Sequence, residues 1–159
     1  MQTPSGPGLL DPRGPRFAAW ITTVVLVVVL VLAFAAPLAA GIVLLVQTLV
    51  FAVGAAAGPR SAPYGILYRL LLAPRLGRPD ELEPAAPVRF AQVVGLIFGV
   101  VGTIGFLAGS VPVGVVATAL ALVAAFLNAA FGLCLGCEMY LGYRRVTRRP
   151  VTARVSTTP

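Results

Sequence analysis

The sequence predicts an all-α membrane protein whose four transmembrane helices form a bundle, built from two parallel two-helix repeats. Three observations predict it. Apolar residues make up 58% of the 159-residue chain and charged ones only 11%. With a mean hydropathy of +0.95, there is too little polar side chain to coat a water-soluble globule. Four long apolar stretches alternate with arginine-bearing segments and with short uncharged turns.

Taken in order, a cytoplasmic tail of residues 1–16 precedes spans at 17–36, 38–57, 90–109 and 113–133, within a membrane domain of residues 17–143. Each span approaches the roughly 20 helical residues that cross a hydrocarbon core of about 30 Å. Pro37 separates the first two, and Ser110-Val111-Pro112 the last two. Residues 58–89 form a central cytoplasmic loop and residues 144–159 a basic tail. All twelve basic residues are arginine. Arg13 and Arg16 precede the first span, Arg60, Arg69, Arg75, Arg78 and Arg89 occupy the central loop, and Arg144, Arg145, Arg148, Arg149 and Arg154 follow the fourth. Basic residues are retained on the cytoplasmic side during insertion, so a multi-pass protein of the plasma membrane with both termini cytoplasmic is expected. Ala33-Phe34-Ala35 is a signal-peptidase pattern, but its apolar run is long for a signal peptide and a second run follows at once.

The chain reads as duplicated. Asp11-Pro12-Arg13-Gly14-Pro15-Arg16-Phe17-Ala18 is echoed by Glu83-Pro84-Ala85-Ala86-Pro87-Val88-Arg89-Phe90-Ala91, and Tyr64, Tyr68, Arg69 and Pro74 by Tyr140, Tyr143, Arg144 and Pro150. A hairpin repeated in one orientation gives a pseudo-twofold axis along the membrane normal. Aligning Tyr64 on Tyr140 puts Gly58 and Ser61 opposite Cys134 and Cys137, so the thiols belong to one half alone.

Within the bundle, Gly95, Gly99, Gly102, Gly105 and Gly109 are expected to meet a stripe of Ala121, Ala125, Asn128 and Gly132 on the fourth helix. Gln47 and Asn128, polar at membrane depth, are expected to clasp neighbouring helices. The Val24 to Leu32 run reads as lipid-facing. The central loop is expected to hold a short interfacial helix from Tyr64 to a stop at Pro74, then a solvated acidic knot of Asp80, Glu81 and Glu83.

The reactive-looking element is Cys134-Leu135-Gly136-Cys137-Glu138, where the fourth apolar run ends. A CxxC brings both sulfurs to one side of a turn, which suits a reversible dithiol or half of a soft-metal site. At the C-terminal end of its helix and beside Glu138, the pair is not expected to be an aggressive nucleophile, although Arg144 and Arg145 partly oppose that effect. A reducing compartment argues against a permanent structural disulfide. Gly136 is expected to relieve the helix so that the sulfurs approach. A metal site at Cys134, Cys137 and Glu138 needs further ligands, which a homo-oligomer would supply.

Asp11-Pro12-Arg13, Pro15-Arg16-Phe17, Pro63-Tyr64-Gly65, Arg89-Phe90-Ala91-Gln92, and Asn128-Ala129-Ala130-Phe131-Gly132 leading into the CxxC resemble domain of unknown function family 4395, uncharacterised bacterial integral membrane proteins, over roughly residues 10–145. The family has no assigned activity. Its members are often encoded beside thioredoxin-like proteins and sulfurtransferases, so the resemblance implies a role in thiol or sulfur handling.

Histidine is absent, which excludes Ser-His, Cys-His and His-metal chemistry within the chain. The net charge of +7 comes from arginines that flank apolar runs, which does not make a nucleic-acid surface. No ionisable residue lies deep in a span, which argues against a proton relay. The sequence therefore points to a lipid-embedded protein, with no cofactor expected, more a partner than an independent enzyme. It would use Cys134 and Cys137 as a redox dithiol with a thioredoxin-like protein or sulfurtransferase. The rival readings are a non-redox membrane scaffold and a thiolate metal site.

Overall fold

The computed structural model describes residues 8–147 and 155–156. Strand β1 (Leu9–Leu10) leads into helices α1 (Arg13–Ala35) and α2 (Pro37–Ala57), then short helices α3 (Pro63–Leu71) and α4 (Ala73–Leu76). Strand β2 (Glu81–Pro84) leads into α5 (Ala85–Leu107), α6 (Val111–Phe131), α7 (Leu135–Val146) and β3 (Val155–Ser156). Among these, α1, α2, α5 and α6 are long and apolar enough to cross a membrane. Their outward faces are apolar, as at Val31, Phe34, Leu38 and Ile104, and fit a lipid bilayer.

Proline opens several of these helices, at Pro37, Pro63 and Pro112, because its fixed φ suits the first turn and its missing N–H costs nothing there. Ala36 alone joins α1 to α2. Gly109, at φ +79°, turns the chain between α5 and α6.

The four long helices form a closed ring in which α1 packs on α2, α2 on α5, α5 on α6 and α6 on α1. The contacts between hairpins, α2 with α5 and α1 with α6, are more extensive than those within each hairpin. Exchanging α1 with α5 and α2 with α6 maps this ring onto itself, as a twofold repeat requires. The short helices obey the same exchange, α3 resting on α1 and α7 on α5.

The end of the ring that carries the two tight turns is solid, with Leu26, Val29, Ala33, Ala40, Leu44, Phe106 and Ala121 forming one buried apolar cluster. The Val24 to Leu32 run is therefore divided between two environments. Val24, Val27, Val28 and Val31 face outward, while Leu26 and Val29 are fully buried.

The glycine row of α5 meets α6 only in part, and not at the stripe of Ala121, Ala125, Asn128 and Gly132 that was expected. Gly95 lies on the Phe51 ring, Gly99 on Thr48 and Gly102 on Leu44, all residues of α2. Gly102 also faces Ala117 and Thr118 of α6, and Gly105 meets that helix most closely, where a Cβ would stand 2.7 Å from the Gly114 nitrogen. On α6, Ala121 joins the apolar cluster and Gly132 ends the helix. Buried threonines satisfy their hydroxyls locally: Thr23 donates to the Ala19 carbonyl, Thr48 to Leu44 and Thr118 to Gly114.

The acidic stretch is a strand from Glu81 onward rather than a loop, with Glu81 exposed as expected. β2 pairs antiparallel with β1, Leu9 opposite Pro84 and Leu10 opposite Glu83, and on its other edge with β3, Leu82 opposite Val155. The N-terminal segment, the central loop and the tail are thus held together at the arginine-bearing end. The tail residues Arg148, Arg149, Pro150 and Arg154 lie outside the described residues.

Candidate functional site

The fourth long helix ends sooner than the apolar run does. Gly132 takes a left-handed conformation, φ +67°, which closes α6 after Phe131 and redirects the chain. Two residues later Cys134 becomes the N-cap of α7. The expectation that the CxxC lies at the C-terminal end of its helix is therefore overturned, because the left-handed glycine splits the predicted helix in two.

This reverses the local electrostatics. The Cys134 Sγ accepts the Cys137 backbone N–H at 3.3 Å, and the Cys134 carbonyl accepts the Glu138 N–H at 2.9 Å. A sulfur at this position faces the positive end of α7, where free N–H groups favour a thiolate. Glu138, exposed in the first turn, still opposes negative charge on sulfur. The two sulfurs are bonded to one another, with Cα atoms 5.1 Å apart. That is the oxidised one of the two states open to a dithiol.

Gly136 is not there to loosen the turn. It is helical and buried, and a Cβ on it would stand 2.6 Å from the Ala91 Cα. Its smallness lets the first turn of α7 lie directly on α5. Phe90 and Tyr140 pack beside this contact, their ring centroids 5.8 Å apart, and Arg144 lies over the Tyr140 ring and donates to its hydroxyl at 3.1 Å.

The corresponding contact in the first repeat is Phe17 with Tyr68, at 6.0 Å. Tyr68 donates to Asp11 at 2.7 Å. Burial pushes the Tyr68 hydroxyl up to about pKa 12, and the hydrogen bond and charge of Asp11 add to it. Counting from the two N-caps, Ala62 corresponds to Cys134, Gly65 to Cys137 and Tyr68 to Tyr140. The alignment of Tyr64 on Tyr140, with Gly58 and Ser61 opposite the cysteines, is thus out of register. The connection from α2 to α3 is longer than that from α6 to α7. Its consequence stands, since the first repeat has no thiol at either alignment.

Two arginines lie at the ends of the opposite hairpins. Arg89 donates from Nε to the Ala55 carbonyl at 2.5 Å and from Nη2 to the Ala56 carbonyl at 2.8 Å, capping the last turn of α2. Its counterpart Arg16 lies at the end of α6, 3.8 Å from where a Cβ on Gly132 would stand.

Two cavities meet at the thiol pair. An inner one, about 630 Å³, occupies the arginine-bearing half of the ring and is lined among others by Gln47, Phe51, Tyr64, Asn128, Cys134 and Met139. An outer cleft, about 300 Å³, is lined by Arg16, Glu83, Cys134, Cys137, Glu138 and Arg144 among others. Cys134 and Asn128 border both. Gln47 finds its partner outside the four long helices: Tyr64 of α3 donates to its Oε1 at 2.7 Å. Burial raises the Tyr64 pKa, so the hydroxyl keeps its proton. Neither Tyr64 nor Gln47 was expected to belong with the thiols, and no local sequence signal joins them, because their proximity depends on how α3 folds back under the ring.

Among the described residues no group of three or more His, Cys, Asp or Glu side chains is placed to hold a metal ion. The alternative at Cys134, Cys137 and Glu138 would have to draw ligands from a second copy.

A four-helix bundle with apolar outward faces and a disulfide at the head of a short following helix defines the class, and residues 10–145 match the family described as Domain of unknown function (DUF4395). The chain belongs to that family. No curated protein and no solved structure matches it.

Proposed function

We propose that the protein is a plasma-membrane thiol-redox partner whose Cys134–Cys137 pair exchanges electrons with a soluble thioredoxin-like protein on the cytoplasmic side. The observation that carries this reading is the position of Cys134 as N-cap of α7, with its sulfur accepting the Cys137 N–H. That arrangement stabilises sulfur as a thiolate, both as nucleophile and as leaving group. In the exchange a partner thiolate attacks the disulfide, a mixed disulfide forms at Cys134, and Cys137 departs as thiolate. The partner's second thiolate then releases Cys134, so two electrons pass from partner to pair. With a sulfurtransferase the same Cys134 thiolate would take the outer sulfur of a persulfide, freeing the donor's thiol.

The outer cleft supports the docking of a partner there, because Arg16 and Arg144 beside Glu83 and Glu138 offer charges of both signs around the pair. The cytoplasmic assignment rests on arginines gathered at one end of the ring, the end that bears α3 and α7.

The test replaces Cys137 by Ser in cells and looks for a mixed disulfide trapped through Cys134, with Cys134→Ser as the control. A partner held covalently and released by reductant is expected. An empty trap overturns the redox reading in favour of a scaffold. Labelling with a membrane-impermeant thiol reagent after reduction fixes the side: labelling of intact cells from outside overturns the orientation.

A further inference from the structure

Gln47, in the lining of the inner cavity, carries an unmet hydrogen-bonding group. Gln47 is 1% exposed, and its Nε2 has no partner while its Oε1 is taken by Tyr64. Turning the amide over only changes which of its two atoms is left over. A buried polar atom without a partner is destabilising, and in a bilayer no bulk water is at hand to relieve it. The cavity's volume of about 630 Å³ falls within the roughly 300–1,000 Å³ usual for small-molecule sites. Its lining is largely apolar, with Ala18, Val50, Phe51 and Phe98 among it, and includes Cys134.

We propose that this cavity binds a lipid-soluble quinone, which oxidises the reduced Cys134–Cys137 pair. The occupant must be largely apolar, must offer one oxygen to Gln47, and must accept electrons from a sulfur on the cavity wall. A quinone meets all three conditions. Its carbonyl accepts from the amide Nε2, and after reduction its hydroxyl can donate to the amide oxygen, so one glutamine serves both states. An acyl chain fills the apolar space but leaves Gln47 unmet and takes no electrons.

The step balances within the site. Two S–H bonds break and one S–S bond forms, while two electrons and two protons pass to the quinone oxygens and give the quinol. Cys134 borders both cavities, so electrons received from a partner at the outer cleft leave through the inner one. This inference rests on the thiol-redox reading above and extends it by naming the electron acceptor.

The experiment uses the full chain, reduced, in nanodiscs, with a short-tailed ubiquinone analogue whose ring is fully substituted so that thiols cannot simply add to it. Loss of the quinone absorbance, with one quinone consumed per two thiols lost, is expected. Cys134→Ser should abolish the reaction. Gln47→Leu, which keeps the side chain's bulk in an apolar setting, should raise the KM for quinone about tenfold, the loss of one hydrogen bond of about 1.4 kcal/mol. Wild-type binding, measured by quenching of Trp20 fluorescence or by calorimetry, keeps the proposal testable should that variant fold poorly. No quinone reduction by protein whose Cys137→Ser form does trap a partner overturns the quinone site and leaves the thiol function standing. Tight co-purification of phospholipid that quinone cannot displace also overturns it, identifying an acyl chain as the occupant. Failure of both trap and quinone reduction removes the two readings together.

Discussion

The two repeats carry the same short helix after their second span, yet only one of those helices can host a thiol pair. In α7 the connection from α6 is short, and the CxxC turn rests on α5 through Gly136. In α3 the longer connection folds back, so that the Pro59 carbonyl oxygen sits where a Cβ on Gly65 would stand. Gly65 corresponds to Cys137 by count from the N-cap. The first repeat therefore excludes by sterics the residue on which the second repeat's chemistry depends, and its short helix is committed to Tyr64 and Tyr68 instead. One copy braces the cavity and the other carries the sulfurs.

The strongest way to break this comparison is Gly65→Ala. Its Cβ meets backbone, which cannot rotate away, so a loss near the upper end of the usual overpacking range, about 3 kcal/mol, is expected. Cys137→Ala, compared with wild type in reduced protein so that no disulfide is lost, should cost much less, because that position already holds a Cβ. Thermal unfolding in micelles checks both, and equal stabilities would remove the steric argument. Gly136→Ala comes next, at about 2 kcal/mol, since it drives α7 off Ala91. It should also speed reduction of the disulfide, followed by mass-tag counting of free thiols.

In reduced protein the N-cap placement predicts that Cys134 alkylates about tenfold faster than Cys137, as mapped by mass spectrometry after brief iodoacetamide treatment. Equal rates would mean that the start of α7 does not act on the sulfur. The smallest effect is Tyr68→Phe, which keeps the ring against Phe17 and removes the bond to Asp11, costing about 1 kcal/mol. The folded-state pKa of Tyr68 is raised, so its contribution is whole below pH 10 and is lost as pH climbs toward about 12. Wild-type stability should fall over that window, and the fall should shrink in the variant.

Much of this was legible because lipid imposes simple rules. Length, apolarity and arginine placement gave four crossing helices, and the Arg-Phe-Ala echo pointed to the exchange that the helix ring obeys. The site was less legible. A CxxC directly after an apolar run looks like the tail of that run unless Gly132 is known to be left-handed, and glycine alone does not say so. The α5 glycine row gave close approach correctly but the partner only in part, α6 at Gly102 and Gly105 and α2 along the rest, because periodicity marks a face and not the helix opposite it. The acidic stretch misled because Pro79, Pro84 and the charges mask a two-sided strand pairing. Gln47 was noticed as polar at depth, but its link to Tyr64 depends on the fold of the intervening loop.

The ring also bears on how the chain is assembled. Since α2 meets α5 and α1 meets α6 over more surface than either hairpin joins within itself, neither half has a complete inside of its own. A chain severed near the positive-φ Gly77 would leave two complementary pieces, each two spans long. Made together in one membrane they should find each other and restore the sulfur site, whereas either made alone should be left to the proteases.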